Sequence, residues 1–277
     1  MSADPSAAAF CADLVRTHDF DRYASTLFVP VDKRRPLLAL YAFNSEVSRV
    51  RDQVKQALPG EIRLQWWTDT LAGAGHGDVE QNPVSAELLL AVRSFDLPVD
   101  RLTKLIDAHV FDLYNDPMPD LAVLESHFRD TSGTLFACAA RILGDASEAV
   151  DHVAEHAGLA QGVVHITARL PYDAARSQLY LPHDMLRQNG GSEAEFYAGK
   201  LTPAIRETLD QLIKGAQEQL AVADGMLIDV VEPARAAFLP MTLVKYDLSQ
   251  MSAARFDPFE LYLRARLRTL WTLWRAS

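Results

Sequence analysis

Apolar positions recur at helical spacing over most of this chain. Leu102, Leu105, Ile106, His109, Val110 and Leu113 follow a 3–4 rhythm. Leu121, Leu124, Phe128, Leu135 and Phe136 continue it, and Ile205, Leu209, Leu212, Ile213 and Ala216 repeat it further on. Such spacing puts one apolar stripe on a helix, while the strict alternation of a half-buried strand is nearly absent. Pro36, Pro59, Pro83, Pro98, Pro117, Pro119, Pro203, Pro233 and Pro258 stand at or near the starts of these segments. Proline is tolerated there because the first-turn N–H has no intrahelical acceptor. Two stretches, Gly73–Pro83 and Leu170–Pro182, read as irregular. With no linker-like shift in composition, no internal repeat and no low-complexity tract, the pattern predicts one all-α domain over residues 1–277.

Composition narrows the class. The chain has 277 residues, is 49% hydrophobic and carries a net charge of -10, with mean hydropathy -0.04 and a pI near 5.2. A substantial core is available and global disorder is excluded. The acidic balance argues against a nucleic-acid partner, which calls for a basic face. Cys11 and Cys138 lie too far apart in sequence to suggest a disulfide framework, so a reducing compartment is expected. No run of ~18 apolar residues is present, so no membrane-spanning helix is expected. The opening MSADPSAAAFCADLVRTHDF lacks a basic region leading into an apolar run, so no secretory signal is expected. The expected location is cytoplasmic, with peripheral contact at the inner membrane left open.

The end of the chain breaks the acidic trend. From Arg255 to Ser277 five arginines face only Asp257 and Glu260, a local charge of +3. FELYLRARLRTLWTLWRAS sets these arginines among Leu263, Leu267, Leu270, Trp271 and Trp274. This suits either a terminal helix packed on the bundle with extended arginine stems or an interfacial helix on anionic lipid. Packing is expected for most of it, with peripheral membrane contact through the remainder.

Other features carry less. His152 and His156 share a helix face but lack the glutamate of a zinc-protease motif, so they read as an exposed face. GAGHG at Gly73–Gly77 follows a helix rather than a strand and reads as a loop, and neither a P-loop nor a nucleophile elbow is present. Trp66 and Trp67, adjacent on a helix, cannot share a face, so one is expected in the core. The small residues of SGTLFACAARILG, Ser132–Gly144, permit close helix packing or an apolar cavity.

Two segments carry candidate chemistry. Ala39–Gln53 and Gly158–Pro182 each hold an aspartate, Asp52 and Asp173, four residues after a position where a second would complete a D-x-x-x-D pair. Such a pair puts two carboxylates on one helical face, and two such helices across a cavity can hold Mg²⁺ against a diphosphate. Here the first positions are Ser48 and Arg169. A guanidinium ~4 Å from a divalent cation, at an effective dielectric of ~20, costs of order 8 kcal/mol in repulsion. Arg169 could instead pair with Asp173, or with Asp52 across the cavity.

The segments DRYASTLF (Asp21–Phe28), LLALYAF (Leu37–Phe43), LQWWTDTLAG (Leu64–Gly73), LIDAHVFDL (Leu105–Leu113, ending near Asp112), HFRDTSGTLFACAARILG and DAARSQLYLPHDMLRQNG occur in the order found in squalene and phytoene synthases. The chain thus resembles that family over nearly its whole length. The resemblance implies an isoprenoid-synthase-type helical bundle around a central cavity. For a working member it also implies head-to-head condensation of two prenyl diphosphates on Mg²⁺. Only Asp52 and Asp173 occupy acidic-motif positions; Arg176 and Tyr180 match the arginine and tyrosine just downstream. His165 stands where the family has asparagine, and Gly162 near its glutamine.

The run G-L-A-Q-G followed by R-x-P-Y (Arg169–Tyr172) is similar to the branch of the family that acts in mitochondrial complex I assembly with degraded acidic motifs. That resemblance implies a non-catalytic protein with complex I subunits or assembly intermediates as partners, or one that binds a prenyl lipid. The alternative is a squalene- or phytoene-type prenyl transferase. No cofactor is expected, or Mg²⁺ if catalysis persists, at Asp52 and Asp173. The catalytic candidates are then Asp52, Asp173, Arg176 and Tyr180. Arg169, Arg176, Tyr180 and Tyr41 are the candidates for contact with a substrate or lipid head group.

Overall fold

The computed structural model describes residues 5–77, 79 and 81–277, and among them there is no β-strand. The helices run in the order α1 (Pro5–His18), α2 (Phe20–Ser25), α3 (Val31–Ser48), α4 (Val50–Gln53), α5 (Ala57–Leu71), α6 (Pro83–Phe95), α7 (Val99–Ala108) and α8 (Leu121–Phe128). They continue as α9 (Thr134–Leu143), α10 (Glu148–Ala175), α11 (His183–Gln188), α12 (Glu193–Tyr197), α13 (Pro203–Met226), α14 (Glu232–Arg235), α15 (Met241–Met251) and α16 (Arg266–Ala276). The readings that touch Met1–Asp4, and the parts of Gly73–Pro83 at positions 78 and 80, lie outside the described residues.

The helix starts follow local chemistry. Asn82 caps α6, accepting from the amides of Val84 and Ser85 at 3.0 and 3.1 Å, and Pro83 takes the first turn. Asp120 caps α8 through the Val123 amide at 2.9 Å. Thr202 caps α13 ahead of Pro203, and Ser192 with Glu195 forms a reciprocal capping box on α12. Each cap is worth about 1 kcal/mol. Two expectations need correction. Leu170–Pro182 is not irregular throughout, because α10 runs through Pro171 to Ala175. An interior proline costs ~3 kcal/mol, but α10 is buried against α8, α9, α13 and α15, and that packing carries it. No helix starts at Pro258; the chain stays irregular there until α16.

Helix α10 is the axis of the bundle. Its Gly158 lies against the backbone of Gly133, where an added Cβ would come within 2.5 Å of the Gly133 amide nitrogen. A Cβ on Gly162 would meet the Phe128 ring at 2.2 Å. A single π-helical turn, Arg129–Gly133, joins α8 to α9 at this crossing. The small residues of Ser132–Gly144 therefore serve close helix approach: Ser132 to Leu143 are buried with the sole exception of Arg141. One buried apolar cluster extends from Cys11 to Met251. It includes Trp67, whose neighbour Trp66 is only partly buried, as adjacency on a helix requires. Cys11 and Cys138 are free and buried.

A second, small cluster forms under the last helix. Ala24, Leu243 and Leu273 pack with Phe20, Phe28, Leu239 and Leu270. Beside it Arg264, just before α16, is only 6% exposed and forms ion pairs with both Asp21 and Asp247. The Tyr262 hydroxyl donates to Asp247 at 2.6 Å, and the Arg264 Nε donates to the Thr269 hydroxyl at 3.0 Å. This clamp ties the terminal segment to α2 and α15.

Candidate functional site

Asp52 and Asp173, 121 positions apart, line one pocket. Its walls are Ser48, Arg51, Asp52, Asp112, Arg169, Tyr172, Asp173, Arg176, Gln178 and Tyr180. One wall is broken locally and the other is continuous helix. Helix α3 ends at Ser48, and Arg49 (φ -100°, ψ 3°) turns the chain into the short α4 that carries Asp52. Ser48 and Asp52 thus do not sit on one helical face, contrary to the spacing argument. On the other side Arg169, Tyr172 and Asp173 ride the unbroken α10, and Arg176 is its C-cap. Behind them Ser177 adopts a left-handed conformation (φ 55°), and the chain returns through Gln178 and Tyr180.

The carboxylates are engaged by the protein itself. Asp52 Oδ1 accepts from Arg176 Nη1 at 2.5 Å and from the Tyr172 hydroxyl at 2.8 Å. Arg176 also donates to the Tyr172 hydroxyl oxygen and, at 3.1 Å, to the Arg51 carbonyl. Arg169 and Arg176 both lie on the Tyr172 ring, at 4.9 and 5.0 Å from its centroid, a cation–π arrangement that fixes all three side chains. Arg169 Nη2 stands 3.7 Å from Asp173 Oδ1. The bridge across the cavity is therefore made by Arg176, while Arg169 pairs loosely along its own helix.

Burial separates the acids. Partial burial raises Asp52, but hydrogen bonds from Tyr172 and Arg176 and the nearby charge of Arg169 outweigh it and hold the carboxyl below its ordinary range. Asp173 is 5% exposed. Loss of solvent dominates there over the attraction of Arg169, and its carboxyl is pushed up to about 7. Asp112 is the member that spacing alone did not assign. It accepts from Tyr180 and sits 2.6 Å from His109 Nδ1. Burial raises it, yet His109, His127 and Tyr180 together keep it below the usual carboxylate value. Burial and the Asp112 charge drive the Tyr180 phenol well above its usual value.

Two buried polar atoms here have no hydrogen-bond partner, Gln178 Nε2 and His109 Nε2. Tyr41 lies apart from the pocket walls, 4% exposed in the core with the Arg22 guanidinium 5.7 Å from its ring centroid. Arg22 also donates to Gln161 at 2.7 Å. His165 is exposed, yet protein crowds it on enough sides that desolvation, with Arg169 and Arg22 nearby, pushes its imidazole down to about 4.

These donors do not fit a magnesium cluster. Mg²⁺ needs oxygen ligands with free lone pairs in near-octahedral array. The three carboxylates of the pocket face three guanidiniums, one of them 2.5 Å from Asp52. Asp173, titrating near 7, is a weak anion at neutral pH. Among the described residues no three His, Cys, Asp or Glu side chains converge as a metal-ligand set. The pocket itself is about 30 Å³, room for about one water. A neighbouring cavity of about 170 Å³ lies beside Trp66, Trp67, Val50 and Arg63.

The squalene/phytoene synthase family model matches residues 15–275. The chain is 28% identical over 262 residues to the mouse NADH dehydrogenase (ubiquinone) complex I assembly factor 6, covering 95% of this chain and 79% of that protein. It is 23% identical over 256 residues to the chloroplastic phytoene synthase 2 of tomato, covering 90% and 81%. Among solved structures it superposes on the squalene synthase HpnC of Alicyclobacillus acidocaldarius with TM-score 0.77 at 20% identity, covering 89% and 93% of the two chains. The architecture is that of an isoprenoid synthase, and the chain belongs to the squalene/phytoene synthase family.

Proposed function

We propose that this chain is a non-catalytic member of its family that serves the assembly of respiratory complex I. The observation that carries the reading is the occupation of Asp52 by Arg176 and Tyr172, with Arg169 standing where a metal-ligating carboxylate is needed. A prenyl transferase must gather several divalent cations around a departing diphosphate. Here each cation would have to displace a guanidinium already paired in place. The greater likeness to complex I assembly factors than to the tomato phytoene synthase supports the same reading. Under this reading the chain works at the inner membrane as a peripheral protein; among the described residues no helix is long and apolar enough to cross a bilayer.

The test is complementation of a deletion strain. Deletion is expected to lower NADH:quinone oxidoreductase activity in isolated membranes and leave the terpenoid profile unchanged. A gene carrying Asp52→Asn and Asp173→Asn is expected to restore that activity. A changed C30 or C40 terpenoid profile with normal complex I would overturn the reading.

A further inference from the structure

Helix α16 has two apolar faces, and only one of them is used by the fold. Thr269, Leu270 and Leu273 turn inward onto the small cluster below α16. Leu267, Trp271 and Trp274 are spaced i, i+4, i+7 and so share a separate face. They are 81%, 51% and 67% exposed. Leu261 and Leu263, in the irregular stretch just ahead, are 73% and 77% exposed. Arg268 and Arg275, seven residues apart, follow the border of that face and are exposed, with the Arg275 guanidinium 4.8 Å from the Trp271 ring centroid. The helix is not a loose tail, because the Arg264 clamp to Asp21 and Asp247 fixes its start.

We infer that the Leu267–Trp271–Trp274 face is the surface by which this protein docks on an anionic lipid bilayer. It rests on the proposed function only for which membrane is met. Three observations select lipid as the occupant. The arginines lie beside the apolar row, where they reach phosphate while leucine and tryptophan enter the acyl boundary. Arg266, Arg268 and Arg275 are exposed on this helix, in a chain of net charge -10, so the apolar row carries its own attraction to an anionic surface. Tryptophan, amphipathic at its indole N–H, is suited to the headgroup level. A second copy docked through the same face would bring like-charged arginine rows together in a two-fold contact.

The experiment is flotation of the full chain with phosphatidylcholine vesicles, with and without phosphatidylglycerol. Binding is expected only when the anionic lipid is present, and it should weaken as salt rises. The variant L267S/W271S/W274S should lose at least tenfold in partitioning, and R268E/R275E a further measurable amount, at about fivefold per basic residue lost. Brominated lipid should quench tryptophan emission in the unmodified protein, which needs no variant to fold. Because the substituted side chains are exposed, thermal melting of the triple variant should match that of the parent. Three results would each overturn the inference. They are failure to float with anionic vesicles, unchanged flotation of the triple variant, and a dimer that the triple substitution dissociates. Vesicle binding is independent of complex I activity, so either proposal can fail alone.

Discussion

Two charge networks in this molecule use the same parts to different ends. In the terminal clamp Arg264 meets Asp21 and Asp247, with the Tyr262 hydroxyl also on Asp247. In the pocket Arg176 meets Asp52, with the Tyr172 hydroxyl on the same carboxylate. The clamp arginine is 6% exposed, and its guanidinium is matched on three sides. The pocket pair is 25% and 28% exposed, its partner Asp173 is only loosely paired, and the Gln178 amide beside it is unmatched. The clamp is a finished piece of structure. The pocket is a cavity whose donors and acceptors do not balance.

The largest expected effect lies in the clamp. Arg264→Ala leaves the buried Asp247 without its counter-charge, held only by the Tyr262 hydroxyl, and removal of one side of a buried pair costs about 3–5 kcal/mol. Denaturant unfolding should show that loss, together with release of α16 to proteolysis. A loss below about 1 kcal/mol would place the clamp with ordinary surface pairs.

Next comes Asp173. Its folded carboxyl titrates near 7, against an ordinary value of 3.8. A raised carboxyl binds its proton more tightly in the folded state, so its contribution is fully favourable below ~pH 4 and is lost as pH rises toward 7. Asp173→Asn removes that loss. The variant should match the parent near pH 4 and exceed it at pH 8, by about 2 kcal/mol against a ceiling of roughly 4 from the size of the shift. A variant less stable than the parent at pH 8 would mean that Arg169 stabilises the ionised form.

The smallest effect is expected at the cross-cavity pair. Asp52 and Arg176 are partly solvated, and such pairs contribute about 0–1 kcal/mol. Asp52→Asn should therefore change stability by less than about 1 kcal/mol. Because the Asp52 carboxyl is held below its ordinary value, its small contribution is present above ~pH 4 and lost on acidification, the opposite sign to Asp173. A loss above about 2 kcal/mol would erase the distinction between the two networks.

Much of this was legible in the sequence. Helical spacing alone predicted the all-α architecture, and the two aspartates, distant in the chain, do meet in one pocket. Other features are set by packing that local pattern does not encode. Pro171 reads as a breaker, but the contacts of α10 outweigh its cost. The turn at Arg49 separates Ser48 from Asp52, which simple i, i+4 counting put on one face. Tyr172 lies three residues after Arg169 and four before Arg176, so its place between them could have been read from helical spacing. Asp112 reaches the pocket from the short 3-10 helix Phe111–Leu113 and Gln178 from irregular chain, and apolar spacing marks neither of them. Tyr41 was expected near a head group and lies in the core. At the C-terminus the sequence grouped Leu270 with Trp271 and Trp274, whereas the fold turns Leu270 inward and leaves the tryptophans out.

The central claim is that the paired guanidiniums leave the pocket unable to gather metal and diphosphate. Its most direct test is incubation of the purified protein with farnesyl and geranylgeranyl diphosphate, with Mg²⁺ or Mn²⁺ and with or without NADPH. Products would be read by mass spectrometry beside an active synthase. The expected result is no diphosphate release and no C30 or C40 product. Release of diphosphate with such a product, abolished by Asp52→Asn or Asp173→Asn, would contradict the account.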